Sequence, residues 1–177
     1  MSWVNFSLSV EGLPAFERKF NRVADDFKDF RPIWVEVGKV FYDVEKKLFA
    51  SSGASGASGK WAPLKPKYAA IKAKKWPAGA AAGPMHRTFA TRNSLTKGGA
   101  GAVYQSNADE LTIGTGLDYP GYHLRASGNR PARKVIDMTE KDLTAITKTI
   151  QRELLKSVKR EGFDVAGYEQ MKGFKAL

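Results

Sequence analysis

Few side chains in this sequence could do covalent or metal chemistry. There is no cysteine, which excludes a disulfide scaffold, thiol catalysis and Cys-ligated zinc or iron–sulfur clusters. The two histidines, His86 and His123, have no second ligand-type residue at helical spacing, so zinc coordination has no support. No serine sits in a Gly-x-Ser-x-Gly turn of the kind that exposes a nucleophile. The acid pair Asp25-Asp26 lies beside Lys28 on the polar side of a helical pattern and reads as surface charge. Residues 51–59, Ser-Ser-Gly-Ala-Ser-Gly-Ala-Ser-Gly, superficially suggest a phosphate-cradling loop. That loop needs Gly-Lys-Ser/Thr after a strand, whereas Gly59-Lys60 leads into Trp61 and follows a helical pattern. The chain therefore reads as non-enzymatic, with no catalytic residue, metal or cofactor expected.

Charge carries more information. The 177 residues hold 29 Lys+Arg against 18 Asp+Glu, a formal charge of +11. No acid occurs between Lys46 and Ala108, while the segment holds Lys46, Lys47, Lys60, Lys65, Lys67, Lys72, Lys74, Lys75, Arg87, Arg92 and Lys97. Both flanks mix the two signs. Such one-sided charge suits contact with nucleic acid or an acidic protein face; the alternative is a solvated loop. Lys65, Lys67, Lys72, Lys74 and Lys75 are the candidate contacts, clustered on and beside a short helix expected over Tyr68–Trp76.

The elements that must position these residues follow from periodicity. Val4, Phe6, Leu8 and Val10 alternate with polar residues, predicting a strand over 3–10. Leu13, Phe16, Phe20, Val23 and Phe27 fall at helical spacing and predict one core helix. Ile33, Val37, Val40, Phe41, Val44 and Leu48, opened by Pro32, predict a second. Leu143, Ile146, Ile150, Leu154, Leu155 and Val158 predict a third. Thr139 is its N-cap, Glu140 and Asp142 lie in its first turn, and Gly162 ends it. A hairpin is expected over 102–106 and 110–114, turning at Asn107-Ala-Asp109, and a further strand over 133–138. The predicted fold is α+β: a small antiparallel sheet packed by three long helices, with long flexible loops. One domain spans 1–165, its loops at 51–59 and 77–84 are expected to be mobile, and 166–177 form a C-terminal tail. The longest apolar runs fall far short of a membrane span of about 20 residues. The first residues lack a signal-peptide pattern, so a soluble product is expected.

Three segments in fixed order carry a family resemblance. The first is Trp61-Ala-Pro63-Leu64-Lys-Pro-Lys-Tyr68, after the glycine-rich stretch. The second is Thr88-Phe89-Ala-Thr91-Arg-Asn-Ser94-Leu95. The third is Tyr119-Pro-Gly-Tyr-His123, then Gly128, then Pro131-Ala-Arg133. Together they resemble the small tail-completion or virion-morphogenesis proteins of tailed phages, including their neck proteins. That family's patterns are Trp-x-Pro-Leu-x-x-x-Tyr, Thr-Gly-x-Leu-x-x-Ser and Tyr-Ala-x-x-His-x-x-Gly followed by Pro-Ala-Arg. Phe89 stands where the second pattern has glycine, and Thr91 where it has leucine.

The resemblance implies a structural virion protein that forms a homo-oligomeric, hexameric ring. The ring would join the head connector or portal-side proteins to the tail tube or tail terminator. Double-stranded DNA would pass through it non-specifically, and no membrane is involved. The expected location is the virion neck, with host cytoplasm during assembly. Structural or interface roles then fall on Trp61, Pro63, Leu64, Tyr68, Ser94, Tyr119, His123, Gly128, Pro131 and Arg133. Trp61 and Tyr68 are expected to pin the loop by burying aromatic area. Arg133 is expected to bond a carboxylate or backbone carbonyls and lock a subunit contact. The reading of a different class is a basic, non-catalytic nucleic-acid-binding module acting as a monomer or dimer.

Overall fold

The computed structural model describes residues 13–76, 83–85, 88–128 and 130–165. The strand expected over 3–10, the tail and most of the loop at 77–84 lie outside them. Among the described residues the fold is mixed helix and strand, as the sequence predicts. Helices α1 (Leu13–Asp26), α2 (Arg31–Ala50), α3 (Pro66–Lys75) and α4 (Ala90–Lys97) precede strands β1 (Ala102–Ser106) and β2 (Leu111–Thr115). Helices α5 (Asp118–Gly121) and α6 (Glu140–Arg160) follow. The two strands form an antiparallel hairpin, Tyr104 opposite Ile113.

Helix α2 is the central element. Ile33, Val37, Phe41, Val44 and Leu48 are buried at the predicted spacing. The hairpin leans on its N-terminal half. Phe30 N–H donates to the Ala108 carbonyl at 2.7 Å, and the Trp34 indole donates to the Asn107 carbonyl at 3.1 Å. Gly38 lets the Tyr104 ring approach, since a Cβ there would lie 3.0 Å from that ring. The C-terminal half carries the main core: Phe41, Leu48 and Phe49 with Trp61, Leu95 and Val135. Helix α6 begins where the sequence predicts. Thr139 accepts the Asp142 N–H, and Asp142 accepts the Thr139 N–H, a reciprocal capping box.

Two expectations are corrected. The segment 133–138 is not a strand. Its burial does alternate, with Arg133, Val135 and Asp137 inside and Lys134 and Ile136 outside. Its polar groups, however, bond irregular backbone and side chains of other segments, with no neighbouring strand among the described residues. Period two marks extended chain and does not by itself supply a pairing partner. The polar segment 88–97, for which periodicity predicts no element, contains a helix, α4. The α1 stripe is not a core face: Val23 is buried, but Phe16 and Phe20 are 52% and 56% exposed and Phe27 is also exposed. Helix α1 meets the body mainly at the end of α6, where Phe163 packs edge-on to Phe16, Arg22 reaches Glu161 and Asp26 pairs with Arg160. Helix α6 shows the same partial cover, Leu143 being exposed.

Residues 51–59, expected to be mobile, take up defined turns. They are tied down in a chain of turns: Ala54 N–H to Ser51, Gly56 N–H to Gly53 and Gly59 N–H to Gly56. Gly53 has a φ of +87°, and a Cβ there would lie 2.4 Å from the Trp61 ring. The anchors are distant in sequence, which is why small residues alone suggested mobility. Gly53→Ala should therefore combine left-handed backbone strain with a collision against the indole. The expected loss is roughly 2–4 kcal/mol, read from urea unfolding; a loss below about 0.5 kcal/mol would contradict this packing.

Candidate assembly site

The first motif segment leaves the 51–59 turns at Trp61. Its indole is buried edge-on against Phe49, with ring centroids 5.4 Å apart. Its N–H donates to the Lys134 carbonyl at 2.9 Å, and its backbone N–H donates to Ser52 at 2.8 Å. A buried indole needs such a partner, and burial of a ring this size is worth roughly 4 kcal/mol. Leu64 is half-buried and Pro63 exposed. Tyr68 does not help pin the loop: it lies on the outer side of α3 and is 44% exposed. An open groove of about 620 Å³ runs beside this segment, lined by Trp61, Pro63, Leu64, Ala69 and Pro84 among others.

The third segment closes onto the first through Arg133. The Arg133 N–H donates to the His123 carbonyl at 2.6 Å. Its Nε donates to the Ala62 carbonyl at 3.0 Å and its Nη2 to the Pro63 carbonyl at 3.3 Å. The guanidinium thus fixes backbone of its own chain. Burial pushes its pKa down, yet an arginine starts so high that it stays charged. Pro131 is half-buried just before it, and Gly128 sits in the turn closed by Ser127 and Arg130. His123 is half-buried, its Nδ1 buried without a hydrogen-bond partner. Burial first, then the positive charges of Arg133 and Arg130, lower its pKa, so the ring is neutral at neutral pH.

The second segment joins through Tyr119, whose hydroxyl accepts the Thr91 N–H at 3.1 Å. Ser94 is fully buried; its hydroxyl lies 2.9 Å from both the Thr91 carbonyl and the Thr115 hydroxyl. Phe89, just before α4, has φ +58° and ψ +6°, a left-handed conformation that costs a non-glycine residue about 1–2 kcal/mol. Arg92 stacks over its ring, 4.3 Å from the centroid.

The lysine candidates divide. Lys65, Lys67, Lys74 and Lys75 are exposed on and beside α3. Lys72 is not a surface contact: it is 2% exposed, and its ammonium donates to the Gly83 carbonyl at 3.0 Å. The inner side of α3 is poor in large apolar residues, so the lysine stem fills it and the charge finds a carbonyl. Tyr68 and Ile71 face outward instead.

Sequence reasoning missed two buried acids. Glu45 is 0% exposed, and Asp137 accepts the Ser58 N–H at 2.6 Å and the Ser58 hydroxyl at 3.1 Å. Both carried a signal. Glu45 lies at helical spacing between the core residues Phe41 and Leu48, and Asp137 continues the alternation of Arg133 and Val135. His86 lies outside the described residues. Among the described residues, no group of three His, Asp or Glu side chains could hold a metal ion.

Comparison with protein-family models, with curated proteins and with solved structures finds no match to this chain.

Arg133→Met would keep the packing stem and leave the Ala62 and Pro63 carbonyls without their donor. The expected cost is about 1–3 kcal/mol in chemical denaturation. Fluorescence should also report a less protected Trp61. An unchanged unfolding midpoint would show that the junction is not held from this side.

Proposed function

We propose that the chain is a structural virion protein of a tailed phage: a neck or tail-completion subunit. Its copies form a ring that joins the head connector to the tail around the DNA channel. The observation that supports this reading is the junction. Three motif segments, as far apart as the 70 residues between Pro63 and Arg133, are hydrogen-bonded into one unit. The left-handed backbone at Phe89 supports it further, because the family pattern has glycine at that point. The role requires a rigid subunit with distinct outer faces, since a closed ring is built from heterologous contacts. The junction supplies rigidity, and the exposed aromatics of α1 and exposed lysines of α3 lie on separate helices.

Those lysines also favour the second reading, a basic nucleic-acid-binding module. Mass photometry of the purified protein, with duplex DNA at rising salt, separates the two. A closed assembly many times the 19.5 kDa subunit, with weak and sequence-independent DNA binding that falls steeply with salt, supports the ring. A monomer or dimer that selects one DNA sequence tightly supports the module and sinks the ring.

Lys72 plays no part in the DNA test because it is buried. The triple change Lys65→Glu, Lys67→Glu and Lys74→Glu should leave unfolding within about 0.5 kcal/mol per site. It should impair head–tail joining or DNA retention. Normal virion yield and infectivity would remove these lysines from the DNA channel and from any acidic neighbour.

A further inference from the structure

Glu45 lies near the end of α2 with no exposed surface, and neither carboxyl oxygen has a hydrogen-bond partner. The charged groups that act on it are Asp137, in the segment leading into α6, and Asp142, in the first turn of α6. Each of these carboxylates already has a task. Asp137 is buried and holds the 51–59 turns through the N–H and hydroxyl of Ser58. Asp142 is bonded to the N–H and hydroxyl of Thr139 and starts α6.

Among the described residues no base faces this group to balance a third negative charge. On α2, Lys46 is exposed and pairs with Asp43, and Lys47 is exposed. Lys60 after the turns, Lys134 before α6 and Lys141 on α6 are exposed too, as is the acid Glu140. Arg133 is spent on the Ala62 and Pro63 carbonyls. A buried carboxyl among acids with no counter-charge is stable only as the neutral acid.

We propose that Glu45 is a proton-held latch. As the neutral acid it allows α2, the Ser58–Asp137 turns and the capped start of α6 to close on one another, and its ionisation opens the turns and frays the first turn of α6. The inference stands on the buried carboxyl and is independent of the virion role.

The direction with pH follows from linkage. Burial first, then Asp137 and Asp142, push the Glu45 carboxyl up from 4.5 to about 8. The folded protein therefore keeps a proton that the unfolded chain releases. Stability falls as pH rises from about 4.5 to about 8 and levels off above that. Opening of the Ser58 turns exposes the backbone on either side of Gly53 and Gly56 and loosens the floor under Trp61.

The test uses the full chain. Hydrogen exchange of wild type and Glu45→Gln is compared at about pH 6 and about pH 9, each pair at the same pH so that intrinsic rates cancel. At the lower pH the wild-type to variant ratio of exchange over the peptides 51–61 and 137–143 sets the reference. At the higher pH that ratio should rise by about 100-fold, the two pH units of linkage between about 6 and about 8, with the N-terminal half of α2 unchanged in both. A wild-type to variant ratio that stays constant across pH overturns the latch. Glu45→Met serves the same comparison if the amide does not fold. The ¹³C resonance of the Glu45 carboxyl in wild type gives an answer that needs no variant. A midpoint near 8, with protection over 51–61 falling up to that pH and level above it, supports the proposal; a midpoint near the ordinary 4.5, or protection over 51–61 that does not change with pH, overturns it.

Discussion

The indole of Trp61 must lose nearly all of its water and still satisfy one N–H, and much of the middle of the chain is arranged to meet that demand. Phe49 offers an edge contact, the Lys134 carbonyl accepts the N–H, and Gly53 gives up a side chain so that the turn can lie against the ring. Residues 51–60 bring almost no apolar surface of their own, so their order depends on this ring and on Asp137. The same demand fixes the segment after Pro131, because its carbonyl at Lys134 is the acceptor and its Arg133 reaches back to Ala62 and Pro63. A two-stranded sheet leaves much backbone outside regular ladders. That backbone has to find other partners.

Buried charge is how this protein supplies them. Arg133 and Lys72 give their donors to carbonyls of irregular chain, and Asp137 accepts from the N–H of Ser58. Each is a charged group used as a staple for backbone that no strand pairs. Glu45 is the exception, an acid with no partner beside two acids already engaged. The surface follows a different rule. The acid-free segment keeps four of its lysines exposed around α3, while the outward residues Tyr68 and Ile71 leave that helix without an apolar inner face.

Much of the fold was legible in the sequence because it rests on local rules. The stripe Ile33 to Leu48, the capping pair Thr139 and Asp142, and the turn at Asn107 each declare themselves within a few residues. The motif segments Trp61–Tyr68, Thr88–Leu95 and Tyr119–Arg133 were legible as candidates, and the structure brings them together. What was hidden depends on partners far along the chain. The turns within 51–59 were hidden because Asp137, which bonds Ser58, lies 79 residues away. The segment 133–138 looked like a strand because burial alternates whether or not a ladder exists. Lys72 looked like surface because residue type says nothing of which side of α3 faces in. The α1 stripe was read as core, although an apolar stripe says only that a face tends to be covered. Within the described residues, Phe16 and Phe20 are not covered.

The proposed neck role needs a rigid body, a face for the next copy and a surface that DNA can slide past. The junction at Trp61 and Arg133 provides the first. The exposed aromatics of α1 and the lysines of α3 are the features that suit the other two. The most direct measurement is electron microscopy of lysates from a phage whose copy of this gene has been removed, before and after purified protein is added. The account predicts DNA-filled heads and finished tails lying apart, which join into infectious particles when the protein is added. Complete, infectious virions formed without it would contradict the account.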